Sequence, residues 1–274
     1  MVGKLNKSSL AKRLGISRSS LYYKSKLDEK DEILKTLIIE VLDSNPCYGH
    51  KRIALELGIN KKRILRVMKK FGLEARRRKS KSFIKKGDLG LVESGYTNAI
   101  SSLCPLAPDI VWCGDFTYIR FGDGFIYLAT VMDMHTREII GFSLSRRHNR
   151  FLVKSAILDA IKKRSKLPEY FHSDQGSEYQ SYEHAEFLEA LGVKVSMSKK
   201  GSPWENSYQE SFYSQFKLEL GCISRLENDG QLSEKIFHQI YSYNHKRIHS
   251  ALKMSPKQFY QLATAKVDRL DESV

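Results

Sequence analysis

The sequence predicts an α/β protein with an all-α, basic region ahead of its sheet, and three observations carry that expectation. Three strand-like runs follow one another between residues 109 and 145, rich in Val, Ile, Tyr and Phe and joined by short turns. Beyond them, short strands alternate with helical stretches, the pattern of parallel crossover connections. Ahead of them, residues 1–87 hold 24 Lys and Arg against 8 Asp and Glu, whereas residues 88–274 hold 22 against 23. A chain of formal charge +15 therefore carries its whole excess in one segment, as a polyanion-binding part joined to a balanced globular part would. The expected organisation is a basic, polyanion-binding region over 1–87, a linker over 88–108 that ends with Pro105 and Pro108, and a globular α/β part over 109–274.

In the basic region one pattern occurs twice, at residues 10–21 (LAKRLGISRSSL) and 53–64 (IALELGINKKRI). It suits a helix-turn-helix. Small Ala11 or Ala54 lets two helices approach closely, and Gly15 or Gly58 takes the positive φ of the tight turn. Ser17 or Asn60 then caps a second helix. That helix would present Arg18 in the first copy and Lys61, Lys62 and Arg63 in the second to phosphates or bases. Arg76, Arg77 and Arg78 follow the second copy and extend its charge. Between the copies, Ile33, Leu34, Leu37, Ile38, Val41 and Leu42 recur at helical spacing and predict a core helix over 31–42.

In the balanced part, the spacing predicts strands over 109–121, 124–134 and 137–145 and a helix over 151–163. A short strand near 170–172, a helix over 182–191 and a strand over 193–198 come next. Helices over 204–220, after Pro203, and 231–243 complete it. Three antiparallel strands followed by strand–helix–strand units make a mixed sheet with flanking helices in RNase-H-like order.

Several classes are excluded or disfavoured. No run of about 18 apolar residues offers a membrane span. Residues 1–14 are polar and basic and lack the apolar stretch of a secretion signal. Cys47, Cys104, Cys113 and Cys222 are scattered, which fits reduced thiols in the cytoplasm better than a disulfide framework. His245 and His249 have ligand-like spacing but no paired cysteines, so they read as packing or DNA-contact residues rather than a zinc site.

Three acids stand out. Asp115 lies within an apolar strand, where a carboxylate is costly unless paired, hydrogen-bonded or bound to a cation. Asp174 falls where a buried strand gives way to a loop, the usual place for ligands in the parallel part of a sheet. Glu210 sits on the helix after Pro203, opposite an expected apolar stripe of Tyr208, Phe212, Phe216 and Leu220, while Glu205 and Glu219 fall on the apolar side. Taken singly, each acid is as well explained by a cap or an ion pair. Together, carboxylates from two strand regions and a helix suit cations of the Mg²⁺ type. Ser173 and Ser177 beside Asp174 have no positioned base and do not make a nucleophile site.

The motifs 112–119 (WCGDFTYI), 131–133 (VMD), 137–141 (REIIG) and 172–177 (HSDQGS) resemble those of insertion-element transposases. So do 200–206 (KGSPWEN), 210–212 (ESF), 217–219 (KLE) and 243–252 (YNHKRIHSAL). The transposases in question carry, in a second reading frame, a retroviral-integrase-type core. Residues 48–53 (YGHKRI) and 62–69 (KRILRVMK) are similar to the helical lead-in of that family, so the likeness spans nearly the whole chain. Residues 175–209, 35 in all, separate Asp174 from Glu210, the spacing of the D,D-35-E signature. Gly114, Glu178 and Glu205 depart from the common pattern without removing a carboxylate of the signature. The resemblance implies an RNase-H-like core in which Asp115, Asp174 and Glu210 bind two Mg²⁺ or Mn²⁺ ions and act in cleavage and strand transfer at element ends. It also implies double-stranded element ends and target DNA as substrates, a homo-oligomer on DNA, and the product of an upstream reading frame as a partner. Lys217, seven residues beyond Glu210 and on the same side of its helix, is expected to contact DNA.

Overall fold

In a computed structural model the described residues are 6–23, 27–77, 97–100, 103, 105–174, 182–199 and 206–271. They divide into two compact units, 1–75 and 76–274. The expected linker falls mostly outside the described residues, as do Arg78, Cys104, Ser177, Glu178, Pro203 and Glu205.

The first unit is all helical: α1 (Lys7–Arg13), a 3₁₀ turn (Arg18–Tyr22), α2 (Leu27–Ser44), α3 (His50–Glu56) and α4 (Lys61–Lys70). The second copy of the repeated pattern forms a complete helix pair. Gly58 takes φ +64 between α3 and α4, and the Asn60 side chain accepts from the Lys62 amide at 2.9 Å to cap α4. The first copy departs from expectation. Gly15 and Ser17 play their parts, but the element after them is a five-residue 3₁₀ turn and not a recognition helix. The Ser17 hydroxyl bonds those of Ser19 and Ser20, local partners that compete with helix growth. Arg18 therefore stands on a turn.

α2 also differs in its use of apolar residues. Leu34 and Ile38 are buried, whereas Ile33 and Leu37 face water. The unit's interior instead holds a carboxylate, Asp31, fully buried and gripped by Arg66 of α4 at 2.7 and 2.5 Å and by Lys70 at 3.1 Å.

The second unit is a five-stranded sheet of order β3-β2-β1-β4-β5. β1 (Val111–Phe121), β2 (Gly124–Asp133) and β3 (Ile139–Ser145) form an antiparallel meander. β4 (Tyr170–Ser173) runs parallel to β1, and β5 (Lys194–Met197) parallel to β4. The helices are α5 (Arg150–Arg164), α6 (Tyr182–Ala190), α7 (Ser207–Leu220), α8 (Asp229–His245) and α9 (Pro256–Asp271). Alternation along β1 sends neighbouring residues to opposite faces. Cys113, Ile119 and Phe121 join Phe212, Phe216, Ile236 and Ile240 on the side of α7 and α8. Trp112 joins Ala129, Val131, Ala156, Ile157 and Leu188 on the side of α5 and α6. α5 lies so close to β3 that a Cβ on Gly141 would come within 2.2 Å of the Ala156 carbonyl.

No helix among the described residues is long and apolar enough to cross a membrane.

Candidate active site

The three singled-out acids are carried by adjacent elements. Cys113 of β1 lies beside His172 of β4 in the parallel register. Asp115 lies two residues beyond Cys113 on β1, and Asp174 two residues beyond His172, just past the end of β4, so both acids follow the last paired position of the two strands. Glu210 belongs to α7, which packs on the Cys113 face of the sheet through Phe212, Tyr213 and Phe216.

Each of the three acids lies within electrostatic reach of another. Burial first, and the charge of Asp174 second, push the Asp115 carboxyl up to about 8, with Glu210 adding to the rise. The Phe116 amide, donating to Asp115 Oδ1 at 2.7 Å, and the nearby Lys217 ammonium oppose it. Glu210 is raised as well, by desolvation and then by Asp174. A set of carboxylates that raise one another stores a demand for positive charge. Oxygen donors of this kind match hard divalent cations. Among the described residues no three His, Cys, Asp or Glu side chains lie in one coordination shell, so the set is electrostatically coupled rather than closed.

What holds α7 in place is a buried polar lattice that the sequence reading missed. Gln209, fully buried, donates through Nε2 to the Cys113 carbonyl at 2.7 Å, and its Oε1 accepts from the Thr130 hydroxyl at 3.0 Å. The Tyr213 hydroxyl donates to the Asp115 carbonyl at 2.6 Å and lies 2.8 Å from Thr130 Oγ1. Burial pushes the Tyr213 phenol well above its usual range, so it stays a neutral donor. These bonds tie the residue before Glu210 to the backbone of Cys113, and the one three after it to the backbone of Asp115 itself. A polar residue on each of two successive turns of a helix facing a sheet was the available signal.

The lattice also rotates the helix from its expected setting. Phe212, Phe216 and Leu220 are buried as the apolar stripe requires, but Tyr208 is 41% exposed, its ring under the Arg137 guanidinium at 3.3 Å. Gln209 takes the inward place because its amide finds partners in the sheet. Glu219 is occupied: it accepts from Arg247 Nε at 2.7 Å and from Gln239 and Gln215. Lys217 is exposed on α7 with its ammonium 4.8 Å from the Tyr118 ring.

Two groups of basic residues on α4 differ in their pairing. Arg66 and Lys70 are engaged by Asp31, and Lys70 also by Asp28 at 2.6 Å. Lys61, Lys62 and Arg63 are exposed on α4 and make no ion pair among the described residues. Arg76 and Arg77 are exposed just past that unit's boundary. Burial pushes the Cys113 thiol up to about 12, which removes it as a nucleophile.

Comparison with known proteins agrees with this architecture. Residues 105–203 and 191–256 match integrase core domain families, and residues 28–81 match an HTH-like domain. The transposase for insertion sequence element IS904 of Lactococcus lactis subsp. lactis (strain IL1403) is 38% identical over 246 residues, covering 86% of this chain and 96% of that protein. The putative transposase InsK for insertion sequence element IS150 of Escherichia coli (strain K12) is 28% identical over 248 residues, covering 87% of each. A chain of the simian T-cell lymphotropic virus intasome, solved in complex with PP2A regulatory subunit B56 gamma, shares the fold. Its TM-score is 0.52 at 16% identity, over 80% of this chain and 73% of that one. The chain belongs to the insertion-element transposases, with an HTH-like domain ahead of a retroviral-integrase-like, RNase-H-like core.

Proposed function

We propose that this transposase cleaves and joins DNA at the ends of its element by a metal-dependent mechanism, with Asp115, Asp174 and Glu210 as the metal-binding and catalytic acids. The observation that carries the reading is the convergence of the three carboxylates: Asp115 on β1, Asp174 just past the adjoining parallel β4, and Glu210 on a helix pinned to β1 and β2. Asp115 and Asp174 would share two Mg²⁺ or Mn²⁺ ions, and Glu210 would complete the second site. Such a pair of ions, when bound, activates an attacking oxygen and stabilises a leaving one.

The chain's own residues supply position. Gln209 and Tyr213 keep α7, and with it Glu210, in register with Asp115. Lys217 brings a cation beside the carboxylates, where it would hold a DNA phosphate. Water is the first nucleophile; its attack on phosphorus breaks a P–O3′ bond and frees a 3′-hydroxyl. That hydroxyl then attacks a target phosphodiester, forming one P–O bond as another breaks, with no covalent protein–DNA intermediate.

Binding falls to the basic region, 1–87, joined through 88–108 to the catalytic part, 109–274. Lys61, Lys62 and Arg63 on α4, with Arg18, Arg76, Arg77 and Arg78, would neutralise phosphates of duplex DNA. The working form is a homo-oligomer on DNA in the cytoplasm, with an upstream-frame product as a further partner.

The test is incubation of the chain with DNA carrying the element's ends, with Mg²⁺, with Mn²⁺ and with a chelator. Metal-dependent release of a 3′-hydroxyl end supports the reading. Tight, salt-sensitive binding with no cleavage under any metal would instead identify a DNA-binding regulator.

A further inference from the structure

Beside the carboxylates lies a strip of aromatic rings that begins at the margin of the core, with Phe116 and Tyr127, and continues onto exposed strand with Tyr118 and Phe125. On the α5 side of the sheet, helix cover reaches Ala129 and the partly buried Phe116 and Tyr127. Past that point β1 and β2 run on toward their hairpin with no helix above them among the described residues. Tyr118 is 59% exposed and Phe125 43% exposed, and their rings meet edge to face at 5.4 Å. His148 sits against both Phe116, at 4.6 Å, and Tyr127, at 5.1 Å. Tyr118 lies directly across from Tyr127, and Arg120 across from Phe125, so all four share this face.

The rim is cationic. Arg120 and Arg147 are exposed and make no ion pair among the described residues. Of the nearby carboxylates, Asp229 and Glu183 are held by Arg146 and Arg150, while Asp123 and Glu227 stand beyond Arg120 at the hairpin end. The strip also communicates with the carboxylates. β1 pairs with β4 only from Val111 to Cys113, so among the described residues its edge is open from Gly114 onward. Across that edge the Lys217 ammonium reaches the Tyr118 ring at 4.8 Å. Tyr118 lies three residues from Asp115, on the order of 10 Å along the strand.

We propose that this strip, Phe116, Tyr118, Phe125, Tyr127 and His148 with Arg120 and Arg147, binds unpaired bases of the DNA next to the scissile phosphate. Rings in a duplex are already stacked on one another and offer the protein phosphates and groove edges; only unpaired bases offer faces to stack on. Aromatic side chains on an open sheet face, edged by arginine, are the chemistry that takes them. The proposal rests on the strand-transfer reading only in taking DNA as the substrate.

The test uses the full chain in chelator, so that no cleavage enters, and two probes: a blunt duplex and the same duplex with a short unpaired 5′ extension carrying 2-aminopurine. The protein should bind the extended probe at least about tenfold more tightly and quench its fluorescence, a factor set by roughly one stacked base. Tyr118→Leu combined with Phe125→Leu should abolish both the preference and the quenching, while Tyr118→Phe, which keeps the ring, should retain them. Arg120→Gln, which alters no ring, should weaken the extended probe severalfold more than the blunt one. Equal affinity of the unaltered protein for the two probes overturns the proposal. So does a leucine variant that keeps preference and quenching, or one that loses only self-association and marks the strip as a protein contact. Tail binding that survives in a protein unable to cleave with any metal would count against the carboxylate mechanism and leave this inference standing.

Discussion

Asp31 in the first unit and Asp115 in the second are both drawn out of water, yet their surroundings act on them in opposite senses. Asp31 is fully buried, and the Arg66 guanidinium, aided by Lys70 and opposed by burial, holds its carboxyl down at about 2. Asp115 is pushed up to about 8 by burial and by two further acids. The first carboxylate has its counter-charge built in and completes a fold. The second lacks one large enough, and its neighbours make the deficit worse. The cations follow the same division: Arg66 and Lys70 are consumed in structure, while Lys61, Lys62 and Arg63 face outward. Net charge alone does not separate these roles; pairing does.

The comparison can be broken at several points, the strongest of them in the sheet. Gly141→Val would drive a side chain into the α5 backbone at Ala156 and Ala160. We expect a loss of more than about 3 kcal/mol, read as failure to give soluble protein or as a large drop in thermal midpoint. Gln209→Leu should leave DNA affinity unchanged and lower the cleavage rate by about ten- to a hundredfold, because it releases Glu210 from its register with Asp115 without removing a carboxylate. An unchanged rate would show that the lattice only stabilises the fold. Lys62→Ala and Arg63→Ala should each reduce duplex affinity severalfold and lower the slope of log affinity against log salt by about 1. Lys70→Ala should instead loosen α2 and α4, seen as faster amide exchange, with little change in that slope.

The smallest effect concerns pH. Asp31 has a depressed folded-state value, so its contribution to stability is fully present above the ordinary carboxylate range and is lost as pH falls toward about 2. Amide exchange in α2 and α4 should therefore accelerate, relative to its intrinsic pH dependence, below about pH 4. Asp31→Asn should remove that dependence.

Much of the architecture is legible in the sequence because each element has a strong local signal. The three β-rich runs, the strand before Asp174 and the helices on either side of the sheet all fall within a few residues of where periodicity and turn residues put them. What escapes is decided by distant partners. Gln209 lies outside the expected apolar stripe of its helix, and its bonds to Cys113 and Thr130 hold it inward while Tyr208 faces out. Asp31 and Arg66 are far apart in the chain, so their pairing leaves no local trace, and the exposed Ile33 and Leu37 mislead a periodicity argument. The serine run after Gly15 looks like a helix start and stops after one 3₁₀ turn. The acids themselves are visible as residues, but their mutual coupling depends on the β1–β4 register.

The central claim is that Glu210, set against Asp115 and Asp174 by the α7 lattice, completes the catalytic acid set. Cleavage of element-end DNA by Glu210→Gln, beside Glu205→Gln and Glu219→Gln, tests it most directly, with DNA binding measured on the same samples. We predict that Glu210→Gln binds DNA but gives no metal-dependent cleavage, and that Glu205→Gln still cuts. Normal cutting by Glu210→Gln, with cleavage lost in Glu205→Gln or Glu219→Gln despite intact folding and binding, would contradict the assignment.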